Sequence, residues 1–134
     1  MGKIEAPAIL ANLEKMLDFT VNFAETRGFD KEIIGQIRLA SEEAIVNVIN
    51  HAYPGTEGTV AVSCDAAEGG GIKIEITDEG IPFDPLSLPA PDTSLPMEQR
   101  RIGGLGIFMI RKIMNEVKYR RDNGRNVLTL VKLK

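Results

Sequence analysis

Two runs of apolar residues at helical spacing, each followed later by segments in which apolar residues fall at every second position, limit this chain to folds that lay helices on a sheet. Leu10, Leu13, Leu17, Val21 and Ala24 form the first stripe, inside a run from Ile9 to Arg27 that Gly28 stops. Asp30 is placed to cap a second run, which carries Ile37, Ala40, Ala44, Ile45, Val48 and Ile49 inward before Pro54–Gly55 ends it. Thr59 to Ala66 and Ile72 to Asp78 then alternate apolar with polar residues, and Glu68–Gly69–Gly70–Gly71 supplies the turn of a hairpin. Helical spacing returns from Gly104 to Met114, through Leu105, Phe108, Met109, Ile110 and Ile113. A second hairpin follows over Glu116 to Arg121 and Val127 to Leu133, turning at Asp122–Asn123–Gly124, and Ile4 to Ala6 adds a short edge strand.

No strand–helix–strand crossover is legible in this order. The expected fold class is therefore α+β, a two-layer sandwich of a mostly antiparallel mixed sheet with helices on one face. Residues 1–134 read as a single domain without internal repeats, of a length that buries roughly two-thirds of the surface its unfolded form exposes. Between Gly80 and Gly103 stand five prolines and no sustained period. A stretch of that length inside a compact domain is commonly a functional loop, and a lid is expected over about 81–103.

Composition removes several classes of function. Aromatic residues make up 5% of the chain, Trp is absent and the formal net charge is −3, which argues against an aromatic platform or a basic face for nucleic acid. Cys64 is the single cysteine and His51 the single histidine, so neither an internal disulfide nor a Cys/His metal cluster is available. No run approaches the ~18–20 apolar residues that cross a bilayer, and Met1 to Leu10 lacks a basic region followed by an apolar one. A soluble cytoplasmic protein without membrane attachment is expected.

Three local patterns carry chemistry. Glu43 and Asn47 stand four apart in the second helix and so project from one face, one turn apart. An amide oxygen is a hard ligand suited to Mg²⁺, and a carboxylate beside it can accept a proton from an attacking hydroxyl. The same spacing is common on solvated helix faces, but Ala44, Ile45, Val46, Val48 and Ile49 crowd this pair with apolar neighbours. Asp78–Glu79–Gly80 ends a strand and opens the proline-rich loop; its aspartate is either an ordinary turn residue or an acceptor for an exocyclic amine such as adenine's. Arg100–Arg101–Ile102–Gly103–Gly104–Leu105–Gly106 leads into the third helix, where exposed backbone N–H groups and the helix dipole favour a phosphate chain, unless the glycines are a plain hinge. His51 closes the second helix, where a cationic or capping role is the commoner one, and Cys64 is read as a small core residue.

In order and setting these segments resemble the GHKL ATPase superfamily, across nearly the whole chain. Glu43–Ala44–Ile45–Val46–Asn47 is similar to its N box, Asp78–Glu79–Gly80 to its first glycine box, and Gly103–Gly104–Leu105–Gly106 to its second. Ser41–Glu42–Glu43–Ala44 with Asn50–His51–Ala52–Tyr53, and Asp78–Glu79–Gly80 with Pro82–Phe83–Asp84–Pro85, resemble the stand-alone branch of bacterial anti-sigma factors that are also serine-protein kinases. Where the wider superfamily often has a second glycine after the Asp–x–Gly, this chain has Pro82. The resemblance implies a Bergerat-type ATP-binding fold using ATP and Mg²⁺, with Glu43 as general base, Asn47 as Mg²⁺ ligand and Asp78 as the residue that recognises adenine. Gly80 and Leu105 fall inside the two boxes, the glycines at 103, 104 and 106 line the triphosphate with Arg101 nearby, and Thr129 lies near adenine. As partners it implies a STAS-like anti-sigma-factor antagonist as phosphoacceptor, a sigma factor, and a second copy of the chain in a homodimer. A nucleotide switch that sequesters a partner without transfer, and the catalytic half of a split histidine kinase, stay open beside the kinase reading.

Overall fold

The computed structural model describes residues 2–87 and 104–134. In chain order its main elements are β1 (Gly2–Pro7), α1 (Leu13–Thr26), α2 (Lys31–His51), β2 (Thr59–Ala66), β3 (Ile72–Asp78), α3 (Gly104–Ile113), β4 (Glu116–Asp122) and β5 (Arg125–Lys132). α2 starts where the sequence places its cap: the Asp30 carboxylate accepts the Ile33 N–H at 2.9 Å, satisfying one of the orphan donors of the first turn. The β4–β5 turn is closed by Asn123 and Gly124 at φ of 50° and 78°, the left-handed pair that a two-residue hairpin turn requires.

The strands form one five-stranded sheet in the order β1-β2-β3-β5-β4. Every neighbouring pair is antiparallel, so the expectation of a mixed sheet is corrected to a wholly antiparallel one among the described residues. The reason lies in the connections. An antiparallel pair of helices separates β1 from β2 and returns the chain to the end where β1 finished, which lets Pro7 pair with Thr59. β1 also extends beyond the expected Ile4–Ala6 at both ends, because its full length finds partners on β2.

Alternation gives the sheet two unlike faces. Val60, Val62 and Cys64 of β2, Ile72, Ile74 and Ile76 of β3, and Leu128 and Leu130 of β5 enter one core with Met16, Leu17 and Ala24 of α1, Ile37, Ala40, Ala44, Ile45 and Val48 of α2, and Ile107 and Ile110 of α3. The opposite face carries Lys73, Glu75, Thr77 and Thr129. Burial pushes the Cys64 thiol up to about 11, so it remains a neutral core group. Among the described residues no helix is long and apolar enough to cross a membrane.

Leu130 is fully buried in the middle of this core. Leu130→Ala should destabilise the fold by about 2–5 kcal/mol, the usual range for a leucine removed from a packed interior, read as a lowered midpoint in urea unfolding.

Candidate functional site

The apolar stripe of α2 is buried at Ile37, Ala40, Ala44, Ile45 and Val48, which turns Glu43 and Asn47 to the margin of the core, half-buried. Asn47 lines a cavity closed by Ala44, Val48 and Ala52 on the helix side, by Ile76, Asp78 and Leu128 on the sheet side, and by Phe83 and Pro85 from the loop after β3. The lining is mainly apolar, with a few polar groups converging on it, the form expected of a small-molecule site. The Asn47 Nδ2 atom is buried and makes no hydrogen bond among the described residues. A buried amide left unpaired costs stability, so nothing among the described hydrogen bonds accounts for this group as part of the fold.

Asp78 is delivered by the same alternation that buries Ile72, Ile74 and Ile76, as the next member of that row. Its Oδ1 accepts the Gly80 N–H at 2.9 Å and an Asn126 Nδ2–H at 2.9 Å. Gly80 cannot be replaced without cost, since a Cβ there would meet the Ala52 carbonyl oxygen at 2.1 Å. The Ile81 N–H donates to that same oxygen at 2.9 Å, and Arg121 donates to the Gly80 oxygen at 2.8 Å. Tyr53 ties the helix end to the strand end, accepting the Glu79 N–H at 2.8 Å and donating to the Thr59 oxygen at 2.5 Å. His51, read from sequence as a helix-end cation or cap, stacks on Phe83 with ring centroids 5.3 Å apart.

At the other end of the site α3 begins at Gly104. A Cβ built on Gly106 would meet Glu43 Oε2 at 2.6 Å, so the second glycine segment packs directly on the carboxylate one turn before Asn47. Burial first, and the neighbouring Glu42 carboxylate second, raise the Glu43 carboxyl above its ordinary range. Glu43, Asn47, Asp78, Gly80 and Gly106 are thus brought along one margin of the α2–sheet interface. Arg101 and Gly103 lie outside the described residues, as do the side chain of Leu105 and the part of the expected lid beyond Ser87.

Thr129 is not part of this group. It lies on the opposite face of the sheet, where its hydroxyl donates to Glu75 Oε2 at 3.1 Å. The residues of β5 that do reach the cavity are Asn126 and Leu128, joined by Tyr119 from β4. Sequence reasoning missed Asn126 although it pairs directly with Asp78 across β3 and β5. That signal becomes legible only once β5, and not β4, is known to be the neighbour of β3.

A family model described as the Histidine kinase-like ATPase domain matches residues 6–132. The chain belongs to that family. This histidine kinase-like ATPase domain is 34% identical over 110 residues to the Serine-protein kinase RsbW of Listeria monocytogenes, an overlap covering 78% of this chain and 69% of the relative. It is 35% identical over 105 residues to the Serine-protein kinase RsbW of Halalkalibacterium halodurans, covering 75% of this chain and 64% of the relative. The crystal structure of the RsbU and RsbW domains of a Mycobacterium tuberculosis protein superposes with a TM-score of 0.64 at 16% identity, over 99% of this chain and 32% of that one. At that identity the likeness is one of fold, and the antiparallel sheet with its helical layer is the shared part.

The packing of Gly106 on Glu43 can be tested directly. Gly106→Ala should melt at or slightly above the parent temperature, because alanine favours the helix by up to about 1 kcal/mol and the atom it displaces is the free end of a side chain. The displaced carboxylate should nevertheless cost the protein its ATP-dependent transfer, read by label incorporation.

Proposed function

We propose that this chain is an ATP-dependent protein-serine/threonine kinase and anti-sigma-factor-like regulator, which phosphorylates a small STAS-like antagonist protein in a bacterial partner-switching system. The observation that carries the reading is the contact between the Glu43 carboxylate and Gly106, on the helix whose Asn47 shares a cavity with Asp78. A base beside a glycine-opened helix start, with a base-binding pocket one turn further on, is the arrangement a γ-phosphoryl transfer needs. The adenine end is the apolar cavity, where Asp78 accepts the exocyclic amine. The phosphate end is the start of α3, where the backbone N–H groups around Gly104 and Gly106 and the positive end of the helix dipole favour the triphosphate, with Leu105 in the same segment. Arg101 and Gly103 belong to that end by their place in the sequence.

The Asn47 amide oxygen and the Glu43 carboxylate, one turn apart at the half-buried margin of α2, are hard oxygen donors that would fit Mg²⁺, with Asn47 as its protein ligand. When bound, Mg²⁺ neutralises charge developing on the phosphate oxygens. Glu43 accepts the proton of the incoming serine or threonine hydroxyl, and its raised pKa suits that task better than an ordinary carboxylate would. Asn47 and Asp78 fix the nucleotide so that positioning supplies most of the rate gain. A sigma factor and a second copy of the chain are further partners in this reading, and the cytoplasm is its compartment.

The decisive test is transfer of label from γ-labelled ATP, with Mg²⁺, into a lysate of the source organism lacking the gene. One small acid-stable, base-labile band is expected, absent with Glu43→Ala although that variant binds ATP as the parent does. An acid-labile band would replace the reading by a histidine kinase, and no band from a protein that binds ATP would leave a sequestering switch.

The pH profile offers a second check. Protonation of Glu43 removes the base, and its raised pKa places that loss at higher pH than for an unperturbed carboxylate. Glu42 contributes to the rise, so Glu42→Gln should move the acid limb of the transfer rate to lower pH while leaving the plateau rate unchanged.

A further inference from the structure

Asn126 makes more hydrogen bonds than any residue the sequence singled out for the site. Its Nδ2 donates to Asp78 Oδ1 at 2.9 Å and to the Ile81 oxygen at 2.7 Å. Its Oδ1 accepts the Tyr119 hydroxyl at 2.6 Å, Arg121 Nη1 at 3.2 Å and the Phe83 N–H at 3.3 Å. Three donors on one side and two acceptors on the other leave the amide a single orientation. The Nδ2–H and the Gly80 N–H therefore both occupy Oδ1 of Asp78, and Oδ2 is the oxygen without a hydrogen bond among the described residues.

We propose that Asn126 is a positioning residue that locks Asp78 so that Oδ2 alone is offered to the base, and that it thereby sets a preference for a purine bearing an exocyclic amine over one bearing a carbonyl. The inference rests on the proposed ATP reading and adds to it how the selectivity is built. An aspartate free to turn could present either oxygen. An aspartate held by two donors on Oδ1 presents Oδ2 one way, toward a group that donates. Arg121 and Tyr119 act behind Asn126, since they hold its Oδ1 and Arg121 also grips the Gly80 oxygen. Asn126 is 6% exposed and Asp78 5% exposed, so water competes poorly for these bonds.

The near-isosteric Asn126→Asp separates this role from a merely structural one. It puts a carboxylate against Asp78, and the lost Nδ2–H bond can be refilled only by a proton shared between the two. The charged and titratable groups around that pair are Tyr119 and Arg121 on β4, Glu79 and Tyr53 beside the end of β3, and His51 stacked on Phe83. Equilibrium affinities for ATP and for inosine triphosphate, which carries a carbonyl in place of the amine, are measured across pH in the parent, Asn126→Asp and Asn126→Ala. The parent should favour ATP by about ten-fold or more, the size of one hydrogen bond to a charged group. Asn126→Asp should lose most of that preference at neutral pH and regain it as pH falls and the shared proton returns, relative to the parent's own profile; Asn126→Ala should lose it at every pH. A parent that discriminates together with an Asn126→Asp that discriminates equally at all pH values would overturn the role of Asn126 while leaving the ATP reading intact. A parent that binds both nucleotides equally would overturn the adenine reading of Asp78 and this inference with it. If Asn126→Ala fails to fold, the Asn126→Asp profile alone decides.

Discussion

The row Ile72, Ile74, Ile76, Asp78 on one face of β3 is the constraint from which the rest of this site follows. The side-chain period of a strand is two, so a register that buries three isoleucines must also turn the next residue of the row toward the helices. Because the isoleucines are fully or almost fully buried, a slip of one residue would expose all of them, and the position of Asp78 is as secure as the core itself. A carboxylate that ends an apolar row meets less water than one in a surface turn. It therefore needs partners, which Gly80 and Asn126 provide.

α2 repeats this logic at helical period. The stripe Ile37, Ala40, Ala44, Ile45 and Val48 faces the sheet and fixes the helix rotation, and the margin one step round then holds Glu43 and Asn47. Two requirements meet at that margin. Ala52, at the C-terminal end of α2, must come close enough to Gly80 for its carbonyl to bind the Ile81 N–H, and Gly106 must come close enough to touch Glu43. The contact at Gly80 is with backbone and needs a position without Cβ, whereas at Gly106 a Cβ would displace the Glu43 carboxylate. These two glycines thus have a role in packing on α2, independently of any ligand.

The electrostatics divide along the site. At Glu43 burial and a like charge act together and raise the pKa of the carboxyl, the direction that suits the proposed general base. At Asp78 the neighbours are hydrogen-bond donors, and the carboxylate serves as an acceptor. One helix and one strand therefore present two carboxylates in different surroundings, one desolvated beside a like charge and one held by hydrogen-bond donors.

Much of this was legible in the sequence. The change from helical to strand period gave both hairpins with nearly correct limits, and Asp30, Gly28 and Asn123–Gly124 marked ends and turns through local backbone chemistry alone. The spacing of Glu43 and Asn47, and the glycine segments in order, named the elements of the site for the same reason: each is written in contiguous residues. Strand order was not written that way. That β5 inserts between β3 and β4 is decided by which apolar faces pack together, and it is this pairing that sets Asn126 opposite Asp78 and turns Thr129 to the far face. Tyr53 and Arg121 likewise acquired their roles from bonds that span long stretches of chain. The sequence by itself determined the local elements and the chemistry they carry, because those depend on period and on neighbouring residues; the tertiary structure alone decided which of those side chains meet, because meeting depends on the register and order of distant strands.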